Sequence, residues 1–122
     1  ADHPNIVRLH ETFEDDTHIY MVLEGCMGGE LFDRLTREGA LTEQVATRLA
    51  YQMGSAVRHL HQIQICHRDI QPESFFLTED WGSSSDLTNV GVKLIDFTTA
   101  KEFKSAEKMT TKFCTLHYVA PE

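Results

Sequence analysis

Apolar side chains along this 122-residue chain fall into short, separated groups whose spacing predicts the elements. Ile6 to Leu9 and Ile19 to Leu23 are apolar runs on either side of the polar stretch Glu11 to Thr17. That pattern predicts an antiparallel strand pair joined by an acidic turn. Gly25, Gly28 and Gly29 then interrupt any regular element and mark a hinge-like connection. Glu30-Leu31-Phe32-Asp33-Arg34-Leu35 begins a short helix that Gly39 closes. Thr42 is a good N-cap, because its hydroxyl can accept from an otherwise unpaired N–H of the first turn. Behind it Val45, Leu49, Met53, Val57 and Leu60 recur at helical spacing, which predicts a long helix to about residue 62. Phe75-Phe76-Leu77 and Val92-Lys93-Leu94-Ile95 read as a hairpin with the polar loop Thr78 to Gly91 between its strands. No internal repeat is visible.

The length suits one small domain with a core, or a piece of a larger one. Nineteen acidic against 11 basic side chains give a net charge of -8, which argues against nucleic-acid or anionic-membrane binding. Such a balance suits basic partners, and it also serves solubility alone. The cysteines Cys26, Cys66 and Cys114 are odd in number and widely spaced, so neither a disulfide framework nor a C-x-x-C metal site is indicated. A reducing, intracellular and cytoplasmic setting is expected. No apolar run approaches the ~18 residues of a membrane span. Ala1-Asp2-His3-Pro4 does not resemble a signal peptide, and reads as the middle of a longer protein.

Three spaced motifs carry the chemistry: His67-Arg68-Asp69-Ile70-Gln71-Pro72-Glu73-Ser74, then Asp96-Phe97-Thr98, then Ala120-Pro121-Glu122. Each is weak alone. In this order, the first after a long amphipathic helix and the second at the end of a predicted strand, they resemble the signature set of the protein kinases. The resemblance extends along the whole chain. It implies an α+β, protein-kinase-like fold in part: residues 1–24 ending the N-lobe, 25–30 the hinge, and 31–122 the mainly helical C-lobe through the activation segment and A-P-E motif. His3-Pro4-Asn5-Ile6-Val7, Glu11-Thr12-Phe13-Glu14-Asp15, Gly28-Gly29-Glu30-Leu31-Phe32-Asp33-Arg34 and Phe75-Phe76 are similar to the calcium/calmodulin-dependent and calcium-dependent kinases, which are serine/threonine-specific. No D-x-D-x-D-G calcium loop occurs, so calcium or calmodulin regulation would have to act through regions outside these residues.

The resemblance implies transfer of the γ-phosphate of ATP to a protein hydroxyl, with Mg2+ as cofactor. Phosphoryl transfer passes through a loose transition state in which positioning and charge neutralisation dominate. Asp69 would accept the proton of the substrate hydroxyl, and Asp96 would hold magnesium, a hard cation that prefers carboxylate and phosphate oxygens. The peptide from Glu24 to Cys26 would pair with the adenine edge, with Leu23 as gatekeeper, Glu30 at the ribose and Phe76 as the floor under the purine. Leu23 and Phe76 also suit plain core packing, and both readings hold together in an apolar pocket. Leu9, His67 and Phe97 match stacked apolar-spine positions, which makes His67 a packed histidine. His59 and His61 are two apart and point to different sides of a helix, so they do not form a zinc pair. Thr98 to Tyr118 would be the activation segment, with Thr111 as its phosphosite, able to pair with Arg68 when phosphorylated, and Thr115 contacting the catalytic aspartate. Glu30 and Glu73 match positions that, in basophilic relatives, pair with an arginine of the protein substrate.

The catalytic loop normally reads H-R-D-x-K-P-E-N, and here Gln71 replaces the lysine and Ser74 the asparagine. A glutamine donates a hydrogen bond but no positive charge, and a serine hydroxyl reaches less far toward a metal than an asparagine carbonyl. Each loss is expected to cost a few kcal/mol at the transition state, about two to three orders of magnitude in rate. Thr98 stands where glycine lets the segment flip, and Cys114-Thr115-Leu116-His117-Tyr118 lacks the glycine and proline of G-T-P-x-Y. No Gly-rich phosphate loop, V-A-I-K lysine or partner glutamate precedes the first strand. The chain by itself is therefore not expected to transfer phosphate. Three readings stand at this point: a fragment of a serine/threonine kinase, a pseudokinase that binds a protein partner or nucleotide, and a truncated gene product.

Overall fold

The computed structural model describes residues 2–80, 90–104 and 115–118. Strands β1 (Leu9–Glu14) and β2 (Ile19–Leu23) pair antiparallel, with a register irregularity between Leu9 and Glu11. Asp15 makes their turn. Its carboxylate accepts from the backbone N–H groups of Thr17 and His18, both at 2.8 Å, and from the hydroxyls of Thr17 and Tyr20, both at 2.9 Å. These donors, the Thr17 amide foremost, hold the Asp15 carboxyl well below the usual carboxylate range.

The strand expected at Ile6 to Leu9 is displaced: β1 begins at Leu9, and Glu11 to Glu14 belong to strand rather than to the turn. The reason lies in burial. Ile6 and Val7 are only 3% and 8% exposed, because they leave the hairpin and dock on a different strand. The Val7 N–H donates to Leu94 O at 3.0 Å, and the Leu94 N–H to Asn5 O at 2.9 Å. Apolar side chains thus enter the core, while the polar residues that follow form an exposed ribbon.

Helix α1 (Leu31–Glu38) begins after Glu30 and closes at Gly39, whose φ of 76° suits glycine. Helix α2 (Glu43–Gln62) starts as its sequence predicts, with the Thr42 hydroxyl accepting from Val45 N–H at 3.4 Å. Of its anticipated apolar face, Leu49 and Leu60 are buried, and Ala56 joins them where no large side chain would fit. After β3 (Ile65–Cys66) and a single 3-10 turn at Pro72–Ser74 comes the anticipated hairpin, β4 (Phe75–Leu77) with β5 (Val92–Leu94). Phe75, Leu77, Val92 and Leu94 are all fully buried. They pack with Ile6, Leu31, Leu49, Ala56 and Leu60 as one core.

A polar staple joins this core's three parts. The Gln52 side chain on α2 accepts from Asn5 Nδ2 at 2.9 Å and from Val92 N–H at 3.1 Å, and donates to Val90 O at 2.9 Å. Strand β6 (Lys101–Glu102) pairs with β3, a short antiparallel contact that apolar patterning does not reveal. It brings the chain after Asp96 back beside the segment that leads into His67. Thr111, Cys114 and the Ala120-Pro121-Glu122 motif lie outside the described residues.

Candidate active site

The chain reverses sharply at Arg68, whose φ of 70° lies in the left-handed region that side chains other than glycine rarely adopt. Its neighbours end in different surroundings: His67 is 2% exposed, while Asp69 is half-buried. Contacts from the segment after Asp96 hold the reversal. Arg68 Nε donates to Thr99 O at 2.5 Å, and the Thr99 hydroxyl donates to His67 O at 2.8 Å. The His67 ring meets Phe97 edge to face, with centroids 5.3 Å apart, and burial pushes the imidazole below its usual pKa. Two of the three expected spine residues are therefore in contact. Leu9 is 51% exposed on β1.

Three side chains converge on Asp69. Thr115, 46 residues away, donates its hydroxyl to Oδ1 at 2.6 Å, and Gln71 Nε2 donates to Oδ2 at 3.2 Å. The Ser74 hydroxyl, 2% exposed, donates to the Asp69 main-chain oxygen at 2.9 Å. A carboxylate with a donor on each oxygen is held in one orientation. Gln71 occupies its place in the loop as a hydrogen-bonding group without adding charge.

Asp96 is exposed just beyond β5. Its Oδ1 accepts from the Thr98 hydroxyl at 2.6 Å and from the Thr98 N–H at 3.0 Å, and these two bonds lower its pKa. Oδ2 has no hydrogen bond among the described residues. This exposed carboxylate suits a magnesium ion, which typically takes one or two carboxylates beside phosphate oxygens. Ser74 suits it less well, since its hydroxyl lies buried against Asp69 O. Thr98 thus does more than stiffen the backbone: its hydroxyl occupies one carboxylate oxygen.

The expected nucleotide residues run from the end of β2 to the β4–β5 ribbon. Phe76 is opposite Lys93 in register and forms an isolated bridge with Glu30 on its other side. Leu23 ends β2 at 40% exposure. The next residues cross to the ribbon, where the Met27 and Gly28 N–H groups donate to Thr78 O at 3.3 Å and Leu77 O at 3.0 Å. A Cβ at Gly28 would collide with Glu79 O and Leu77 Cβ, so glycine permits this approach. Among the described residues, Glu24 O and the backbone N–H and C=O of Cys26 make no hydrogen bond. Burial, followed by the Glu24 charge, raises the Cys26 thiol pKa.

Glu73 accepts weakly from the Tyr118 hydroxyl at 3.5 Å, and its Oε2 is buried with no hydrogen-bond partner among the described residues. His59 stacks near His3 with centroids 4.9 Å apart, whereas His61 meets Phe103 edge to face. Sequence reasoning passed over Thr99 and Lys93. Lys93 left one signal, a charge alternating with the apolar Val92 and Leu94, and Thr99 left none.

A family model described as the protein kinase domain matches residues 1–122. The chain is 42% identical over 122 residues to calcium-dependent protein kinase 3 of Plasmodium yoelii yoelii, covering 99% of this chain and 22% of that protein. It is 39% identical over 120 residues to a probable myosin light chain kinase of Dictyostelium discoideum, covering 98% of this chain and 29% of that relative. Calcium-dependent protein kinase 5 of Plasmodium falciparum is 35% identical over 121 residues. The chain thus spans between a fifth and a third of the length of these relatives. Among the described residues no helix is long and apolar enough to cross a membrane.

Proposed function

The chain belongs to the protein kinase domain family, and on that premise we propose that it forms the hinge and catalytic-loop portion of a serine/threonine kinase. In this reading the longer protein carrying it transfers the γ-phosphate of ATP to a hydroxyl of a protein substrate. The observation that carries the reading is the 2.6 Å bond from Thr115 to Asp69, which joins the end of the activation segment to the catalytic loop.

Asp69 accepts the proton of the substrate hydroxyl. Thr115 occupies Oδ1 tightly at 2.6 Å, so Oδ2, held only at 3.2 Å by Gln71, is the oxygen that receives it. Glu24 and Cys26 offer backbone groups to the adenine edge, while Leu23 and Phe76 border the purine and Glu30 the ribose. Magnesium, when bound with ATP, supplies the positive charge that offsets the phosphate oxygens. Asp96 would hold it, with Ser74 as the second candidate. Asp69→Asn in the full-length protein is expected to lower transfer to a peptide by at least about a hundredfold. Transfer that survived this change would sink the assignment.

The substrate side favours a basic peptide. Glu30 and the Oε1 of Glu73, which holds only the weak Tyr118 contact at 3.5 Å, would together receive a guanidinium. A peptide array with no preference for upstream arginine would contradict this. Thr111, outside the described residues, remains the proposed phosphosite, with Arg68 as its partner. Calcium or calmodulin control is proposed only through other regions of the longer protein, in a cytoplasmic setting.

A second reading has its own support. Gln71 brings no charge to the loop, and the Ser74 hydroxyl is committed to Asp69 O. Both favour a pseudokinase that binds nucleotide or a protein partner. Installing Gln71→Lys together with Ser74→Asn separates the two: a large gain from near zero supports the pseudokinase, and little change supports the active enzyme.

A further inference from the structure

Glu24 has a side chain with work of its own. Its Oε1 meets Lys93 Nζ at 2.8 Å, with the two side chains only 26% and 15% exposed. Its Oε2 accepts from the Arg8 N–H at 2.8 Å, and its own N–H donates to Arg8 O at 2.9 Å. Residue 24 is thus held from Arg8, just before β1, and from β5 at once. Arg8 itself pairs through its guanidinium with Asp2 at 2.8 Å, where both side chains are largely exposed, so its charge is turned elsewhere. Lys93 is the cation that answers Glu24, and its hydrogen bond is the main cause of that carboxyl's lowered pKa.

The position of Lys93 gives the contact a meaning beyond stability. In the β4–β5 register Lys93 stands opposite Phe76, and directly opposed residues of an antiparallel pair project from the same face. Their neighbours Phe75, Leu77, Val92 and Leu94 fill the core on the other face. One face of one ribbon therefore carries both the proposed purine floor and the cation that grips the hinge. The far end of the hinge is tied to the same ribbon by the Met27–Thr78 and Gly28–Leu77 backbone bonds. Between the two moorings lie Glu24 O and the backbone N–H and C=O of Cys26, which make no hydrogen bond among the described residues.

We propose that Lys93 and Glu24 are a positioning pair that fixes the spacing between the hinge and the Phe76 floor, and so sets nucleotide affinity. The proposal rests on the reading of Glu24 to Cys26 as the adenine-binding segment. The ion pair ties the front of the hinge to the ribbon as the backbone bonds tie its rear. Without it, residues 24–26 are held to the ribbon at one end only, and their hydrogen-bonding groups lose their fixed height above Phe76.

The test uses the full-length protein and a fluorescent ATP analogue, with thermal midpoints measured in parallel. Lys93→Met is expected to weaken analogue binding about tenfold, Glu24→Gln about threefold, and Lys93→Arg hardly at all, since it restores the cation. If the enzyme is active, the KM for ATP rises while kcat is kept. Unchanged binding in Lys93→Met, even with a lowered midpoint, overturns the proposal, as does equal loss in Lys93→Met and Lys93→Arg. If Lys93→Met fails to fold, Glu24→Gln decides, and wild-type affinity there overturns it. A wild-type protein that binds no analogue removes the nucleotide reading itself, an outcome distinct from one in which the wild type binds and the variants match it.

Discussion

The ribbons β1–β2 and β4–β5 are both antiparallel and both rich in apolar side chains, yet their surroundings differ completely. Every residue of β1 and β2 is exposed, including Phe13 at 54% and Ile19 at 74%, whereas Phe75, Leu77, Val92 and Leu94 are fully buried. The difference comes from their neighbours. Helix α2 and the segment around Ile6 close over β4–β5, while β1–β2 is held chiefly by its own ladder and by the Asp15 turn. Apolar content tells a strand from a loop but does not say which strand the core will claim. The site depends on the buried ribbon: Ser74 precedes it, Asp96 follows it, and Phe76 and Lys93 stand on its half-exposed face.

The strongest way to break this contrast is to cut the same side chain from each ribbon. Phe75→Ala is expected to cost about 3–5 kcal/mol, the loss typical of a fully buried phenylalanine. Phe13→Ala should cost less than about 1 kcal/mol, as for most exposed positions. Urea denaturation of the 122-residue chain measures both, and a Phe13 loss that grows in a longer protein would mean that other residues cover β1–β2 there. Gln52→Leu is a smaller cut at the same ribbon. It keeps the approximate volume of the side chain but strips partners from Asn5 Nδ2, Val90 O and Val92 N. Asn5 keeps its bond to Val92 O at 2.9 Å, so the expected loss is about 1–3 kcal/mol rather than more. A loss within experimental scatter would show that packing alone holds α2 to β5.

The helices were the most legible part of the fold. Thr42 and Gly39 punctuate them, and the apolar positions of α2 follow its period, because capping and periodicity are local properties. The displaced β1 was not legible, since the pull on Ile6 and Val7 comes from Leu94, far along the chain. Asp69 and Asp96 stood out through their motifs. Their surroundings did not: the inward turn of the Ser74 hydroxyl and the Lys93–Glu24 ion pair arise only when separate segments meet. Thr99 illustrates the limit best, as it braces Arg68 and His67 by contacts that no spacing rule contains.

The buried side of the comparison also has a pH signature, at His67. Burial lowers its folded-state pKa, so below the ordinary value of about 6.5 the unfolded chain binds more protons than the folded one. Stability therefore falls as pH drops through that value, and above it this group contributes no slope. The lowered carboxylates Glu24 and Asp96 act only at more acidic pH, so the window from about pH 6.5 to 5 isolates histidine effects. Replacing His67 with phenylalanine should shallow the slope without abolishing it, because burial and the nearby His59 and Lys93 charges also lower His3. An unchanged slope would show that His67 is solvated in solution.

The smallest expected effect tests the exposed ribbon. Asp15 gathers four donors into one turn, and all of them belong to Thr17, His18 and Tyr20. Asp15→Ala frees the Thr17 and His18 amides, so hydrogen exchange there should accelerate, while the global urea midpoint should stay where it was. Acid should mimic the change. The carboxyl's pKa is lowered, so the turn is fully protected above about pH 4 and loses protection as pH falls through the depressed folded value. Faster exchange confined to the turn keeps the two ribbons energetically separate. A shifted midpoint would instead couple β1–β2 to the core, and the most direct route for such coupling runs from Leu23 through Glu24 to Lys93 on the buried ribbon.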